Sequence, residues 1–136
     1  MQKASVLIVA KGVDHKGILA NCAFVLGLSV GKLLPAETFG VEVVDGDGTR
    51  HPALTNISHY VRESGQSKMR TLRAEFIQNP DVSVVDYTED AAPADYAMYT
   101  KSLGAHKGEE IIYRAIHIYG PAEYVISKTK NLSMLQ

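Results

Sequence analysis

Val6-Leu7-Ile8-Val9-Ala10 is apolar at every position. A strand with one face in water alternates apolar and polar residues, so an uninterrupted run implies a central strand covered on both faces, as in an α/β sheet. Lys11-Gly12-Val13-Asp14 then reads as a tight turn, with Asp14 placed to cap a helix beginning at His15 or Lys16. That helix is expected to run to about Leu34 and stop before Pro35. It is apolar on nearly every face, which predicts deep burial. Asn21, Ser29 and Lys32 interrupt it, whereas a membrane span needs ~20 mostly apolar residues. A buried helix of a soluble domain is therefore expected, and no membrane partner.

Downstream, strand signals alternate with helix signals. Phe39 to Val44 has strand character, Asp45-Gly46-Asp47-Gly48 forms a turn, and Thr49 to Pro52 returns as a short hairpin arm. Ile57 to Arg62 is a second strand. Ser67 can cap a helix carrying Met69, Leu72, Phe76 and Ile77 at helical spacing, ended by Asn79-Pro80. Val82 to Tyr87 is a β-branched third strand. Ala94 to Leu103 reads as a helix with Gly104 near its end, and Ile111 to Tyr119 as a fourth strand. Pro121 opens a last helix that turns Tyr124, Val125 and Leu132 inward. The alternation predicts a layered α/β architecture.

At 136 residues the chain is the length of one domain (~100–150 residues), and residues 1–136 are read as one unit without repeat or linker. Cys22 is the only cysteine, which rules out an intramolecular disulfide and a cysteine-based metal cluster. Fourteen basic against fifteen acidic residues give a formal charge of −1, so nucleic acid is not expected as the main partner. Val6–Ala10 is too short for a signal-peptide core, and with a free thiol a cytoplasmic location is the default.

Ligands of open α/β sheets sit beyond the carboxyl ends of parallel strands. That rule selects two loops. One spans 11–17, holding Lys11, Asp14, His15 and Lys16 at a helix start that attracts anions. The other spans 86–90, holding Asp86, Thr88, Glu89 and Asp90. If their strands are neighbours, a lysine faces a carboxylate, a pair able to orient water or steady an oxyanion. The plainer reading is a pair of charged, solvated loops.

Other signals are weaker. Asp45-Gly46-Asp47-Gly48 resembles the opening of a calcium loop but lacks the later acidic ligand, so a hairpin turn is expected. The five histidines show no zinc spacing. His117 alternates with Tyr113 and Tyr119 on one predicted strand face and is read as a packed or hydrogen-bonded imidazole. Cys22 is read as a buried thiol. Arg62, Lys68, Arg70 and Arg73, interleaved with Glu63 and Glu75, form a solvated helix face before they form a phosphate site. No metal or cofactor is expected.

The strand, turn and apolar helix of 6–31, with the closing Ile116-His117-Ile118-Tyr119-Gly120-Pro121 and a helix bearing Lys128, Lys130 and Leu132, resemble the type II peptidyl-tRNA hydrolase superfamily. The order of Asn21, Asp45–Gly48 with His51-Pro52, Met69–Leu72–Arg73, Val85-Asp86-Tyr87-Thr88 and Tyr119-Gly120-Pro121 is similar, over nearly the whole chain, to the prokaryotic "domain of unknown function 2000" branch of it. The resemblance implies a three-layer α/β/α sandwich with a mixed four-stranded sheet, one strand antiparallel, and a homodimer. It carries the family's helix-start lysine to Lys16, its first-helix amide to Asn21, its signature aspartate to Asp86 and its threonine, loosely, to Thr88. The family's helix histidine falls at Phe24, and its signature glycine and glutamine have no counterpart.

Two functions follow as expectations. In a hydrolase of small ester or aminoacyl bonds, Lys16 and Asp86 are catalytic, and His15, Asn21 and Thr88 bind the ligand. In a non-catalytic module, a small anionic ligand or a protein partner is bound. RNA binding through 62–73 is a third, weaker expectation.

Overall fold

The computed structural model describes residues 2–92 and 95–135. In chain order the elements are β1 (Lys3–Ala10), α1 (Lys16–Gly31), β2 (Val43–Val44), β3 (Arg50–His51), β4 (Ser58–Ser64), α2 (Gln66–Ile77), β5 (Ser83–Thr88), α3 (Tyr96–Gly104), β6 (Tyr113–Pro121), α4 (Ala122–Thr129) and β7 (Ser133–Met134). The main sheet has the order β5-β6-β1-β4-β7, and β2-β3 forms a separate hairpin. The apolar run of β1 does sit at the centre, parallel to β4 and antiparallel to β6.

The expected four-stranded sheet has five strands among the described residues. The addition is β7, which pairs only Ser133 and Met134 with β4, too short to leave a periodic signal. Both β6 and β7 run against the others. Phe39 to Val44 is not a continuous strand. Only Val43–Val44 pairs with the returning arm, and Phe39 makes an isolated bridge to Thr55.

Side-chain alternation in β1 supplies two cores. Val6, Ile8 and Ala10 meet Met69, Leu72 and Phe76 of α2 and Val125 of α4 on one face. Val9, with Leu7 beside it, meets Cys22 and Leu26 of α1 on the other. Each fully buried aliphatic or aromatic side chain contributes roughly 1.5–3 kcal/mol, so the two faces together hold helices on both sides of the sheet.

Several local expectations change. The cap of α1 is His15, whose Nδ1 accepts the Ile18 N–H at 3.3 Å, and not Asp14. Gly65 rather than Ser67 precedes α2. Asp95 caps α3 by accepting from Ala97 and Met98, and Ala94, the expected start of that helix, lies outside the described residues. α1 is not buried on every face. Cys22, Leu26 and Val30 are buried, while Phe24 and Leu28 on the opposite side are each 68% exposed. Tyr113 does not share a face with His117, because the β5–β6 register shifts between Tyr87 and Thr88. The shift turns Tyr113 to the α2 side, where it joins Met69 and Phe76.

Candidate functional site

The two loops chosen by strand polarity are not neighbours, since β6 lies between β1 and β5. His15 and Lys16 are exposed at the start of α1. Asn21 and Asp86 do line one cleft of about 450 Å³, closed by Val25 and Ser29 of α1 and by Tyr96 and Tyr99 of α3. The Tyr96 and Tyr99 rings meet edge to face at 5.4 Å. Burial first, then the charge of Asp86, pushes the Tyr99 hydroxyl pKa up.

The Asp86 carboxylate, however, is held by Arg73 of α2, Nε to Oδ2 at 2.9 Å, and the Arg73 guanidinium lies 5.3 Å over the Tyr113 ring. Arg70 likewise donates to the carbonyls of Glu109 and Ile111. Two of the four residues of the basic stretch thus hold the fold together. Thr88 is buried and donates to Asp90 Oδ2 at 3.1 Å. Asp90 also accepts from Ser102 at 2.5 Å and pairs with His106 at 2.7 Å, which ties α3 to the end of β5.

A second cavity, of about 300 Å³, lies between the C-terminal half of α1 and the amino-terminal half of the sheet. Its roof is Ala23, Gly27 and Gly31, residues one helical turn apart whose small size leaves room beneath α1, with Leu26, Val30 and Leu34 beside them. Its floor comes from register. Ser5 stands opposite both His59 on β4 and Tyr119 on β6, and Leu7 opposite both Val61 and His117. This brings Ser5, His59 and His117 to one face at the centre of the sheet. Phe39 and Thr55 complete the wall, and His59 and Val61 are exposed, so the mouth lies along β4.

The polar groups here are few and specific. Ser5 Oγ is 2.5 Å from His117 Nε2, and Thr55 Oγ1 is 2.6 Å from His59 Nε2. His117 is 8% exposed, and its Nδ1 is buried without a hydrogen-bond partner among the described residues. Burial, then the proximity of His59, lowers the His117 pKa to about 4, so the ring is neutral at pH 7. The Tyr119 hydroxyl, a neighbour on the same face, is also buried without a partner among the described residues. Burial raises the Cys22 pKa, consistent with an inert thiol.

Sequence reasoning passed over Ser5, His59 and Thr55. One available signal was the small-residue spacing of Ala23, Gly27 and Gly31 in an otherwise bulky helix. The other was Ser5, a hydroxyl at the edge of the most apolar strand.

The model of a family described as "Protein of unknown function (DUF2000)" matches residues 3–136. The chain belongs to the DUF2000 family. A solved structure of a protein of unknown function from Agrobacterium tumefaciens is similar to this DUF2000 chain with a TM-score of 0.81 at 16% identity, covering 100% of this chain and 99% of that one. At that identity the likeness shows a shared fold. No curated protein matches the chain. Among the described residues of this DUF2000 protein, no helix is long and apolar enough to cross a membrane.

Proposed function

We propose that this DUF2000 protein binds a small molecule in the cavity between α1 and the sheet. The observation that carries the reading is the cavity itself, a concavity of about 300 Å³ walled by Leu7, Leu26, Val30 and Val61, with Ser5, Thr55 and His59 among its few polar residues. An apolar concavity with a few convergent polar groups is the ordinary form of a ligand site. The Ser5–His117 pair has the contact of a nucleophile and its base. Yet attack by Ser5 would make the base an imidazolium until it passes the proton to the leaving group, and the burial that lowers the His117 pKa to about 4 penalises that transient cation. The pair therefore serves as a hydrogen-bonding fixture. This differs in charge from the anionic ligand expected at the start of α1.

A screen of small uncharged fragments by thermal denaturation tests the reading. A ligand at 100 times its Kd adds ~2.7 kcal/mol of stability, so hits raise Tm in wild type and lose effect in a folded Gly27→Leu variant, whose side chain fills the roof. A screen without hits removes the proposal.

A second reading follows the resemblance to type II peptidyl-tRNA hydrolases and is favoured by one observation, the shared cleft of Asn21 and Asp86. In it a small ester or aminoacyl bond is cleaved, Asp86 orienting water and Lys16 steadying charge, with His15, Asn21 and Thr88 as ligand contacts. Turnover of model esters by wild type but not by Asp86→Ala supports it, and equal rates end it. The homodimer belongs to the same proposal, with the exposed Phe24 and Leu28 on α1 as the surface it would cover.

A further inference from the structure

We infer that the ligand of the α1 cavity is a small uncharged alcohol that enters apolar end first and leaves its hydroxyl at the mouth, against Thr55 and His59. The inference rests on that cavity being the ligand site and adds the ligand's chemistry and its direction of entry.

The direction follows from where the polar atoms are already matched. The mouth lies along β4, and β1 and then β6 stand behind it in the sheet. At the far end Ser5 and His117 are buried and bonded to each other. Around them Leu7, Leu26 and Val30, with Ala23 and Gly27 of the roof, present hydrocarbon. A polar head carried to that depth loses its water and meets no free partner. The mouth differs. Thr55 is half-buried, His59 is exposed, and both line the cavity. His59 stands opposite Ser5 in the β1–β4 register, so its ring lies on the α1 side of the sheet.

The hydrogen count of the Thr55–His59 pair selects the head group. Thr55 Oγ1 is 2.6 Å from His59 Nε2. A neutral imidazole carries one N–H, and a hydroxyl carries one hydrogen and two lone pairs. If Thr55 donates to Nε2, the His59 Nδ1–H and a Thr55 lone pair are left over. If Nε2–H donates to Thr55, the Thr55 hydrogen and the Nδ1 lone pair are left over. In either tautomer the pair keeps a donor and an acceptor. An alcohol engages both, a ketone only the donor and a hydrocarbon neither. No lysine, arginine, aspartate or glutamate is among the described residues lining the cavity, so a charged head loses hydration without meeting a fixed counter-ion. About 300 Å³ is at the small end of ligand sites, ~300–1000 Å³, which suits a single ring or a short branched chain.

Four probes of similar size separate the possibilities: cyclohexanol, methylcyclohexane, cyclohexanecarboxylate and cyclohexylammonium, titrated into the full chain and followed by NMR. Cyclohexanol is expected to bind roughly three- to ten-fold more tightly than methylcyclohexane, the net worth of a hydrogen bond, and more tightly than either ion. Nuclear Overhauser contacts are expected between its carbinol proton and the Thr55 methyl, and between the far side of its ring and the methyls of Leu26 and Val30. Thr55→Val keeps the side-chain shape and is expected to erase the preference for the alcohol while methylcyclohexane still binds. A reversed orientation, equal binding of alcohol and hydrocarbon, tightest binding of either ion, or an unchanged preference in Thr55→Val each overturns the inference while leaving the cavity as a ligand site. Failure of all four probes overturns it as well, and a fragment screen that is also without hits overturns both.

Discussion

Ser5 Oγ and His117 Nε2 meet at 2.5 Å between the antiparallel neighbours β1 and β6, although the residues are 112 positions apart in sequence. The contact holds a neutral imidazole against the underside of α1. Its cost and its consequence are both electrostatic, since the site has been arranged to keep that ring uncharged.

A pH dependence follows. The His117 pKa is about 4 in the folded chain against 6.5 as its ordinary value. Above pH 6.5 the ring is neutral in both states, and below about 4 it is charged in both. Between them the unfolded chain takes up a proton that the folded chain refuses, so stability falls as pH drops through this window. At 1.36 kcal/mol per pKa unit the loss approaches about 3 kcal/mol. Urea unfolding at pH 7 and pH 4.5 should show it, and His117→Gln should flatten the difference. Equal slopes for wild type and variant would count against the assigned burial.

Gly27 offers a change of opposite sign. It lies inside α1, and a Cβ there would meet nothing within 4 Å. Glycine costs ~0.5–1 kcal/mol relative to alanine in a helix interior. Gly27→Ala should therefore raise Tm by about 3 °C with little loss of cavity volume. A lower Tm would mean that the helix needs the close approach at this position.

The contrast between these two positions shows what was legible beforehand. β1 was readable because both of its faces are apolar, which fixes burial on two sides without knowledge of its neighbours. The mixed layers followed from alternation of elements. The cavity was not readable in this way. Ser5, His59 and His117 meet only through strand register, and β6 carries a shift at Tyr87/Thr88 that separates Tyr113 from His117. Asp86, expected in a loop beyond the third strand, lies inside β5, and its partner is Arg73 of α2. A one-residue change of face is invisible in a strand whose residues are apolar on both sides.

Asp90 gives a local test of the α3 attachment. Its carboxylate accepts from Thr88 and Ser102 and pairs with His106, and the Ser102 hydroxyl, as the largest cause, lowers its pKa. A carboxylate with a depressed pKa stabilises the fold above its ordinary titration range and withdraws that support as pH falls through the folded value. Asp90→Asn keeps the shape and removes the charge. It should raise hydrogen exchange in residues 96–104 by ten-fold or more, while β1 and β6 keep their protection. Unchanged exchange in α3 would show that the apolar contacts of that helix suffice.

The outer face of α1 bears on assembly. Phe24 and Leu28 lie one helical turn apart and are each 68% exposed, on a helix whose opposite side already packs on the sheet through Cys22, Leu26 and Val30. Two such side chains side by side are the start of an apolar patch, and patches of this kind mark interaction surfaces. A stable dimer buries ~800 Å² per partner, which requires neighbouring residues to join them. Phe24→Glu with Leu28→Glu keeps helix propensity and places like charges at the centre of any isologous contact. Sedimentation should show a dimer for wild type and a monomer for the double variant, with the fragment-induced thermal shift retained. A wild-type monomer, or a double variant that still dimerises, would move the interface away from this face.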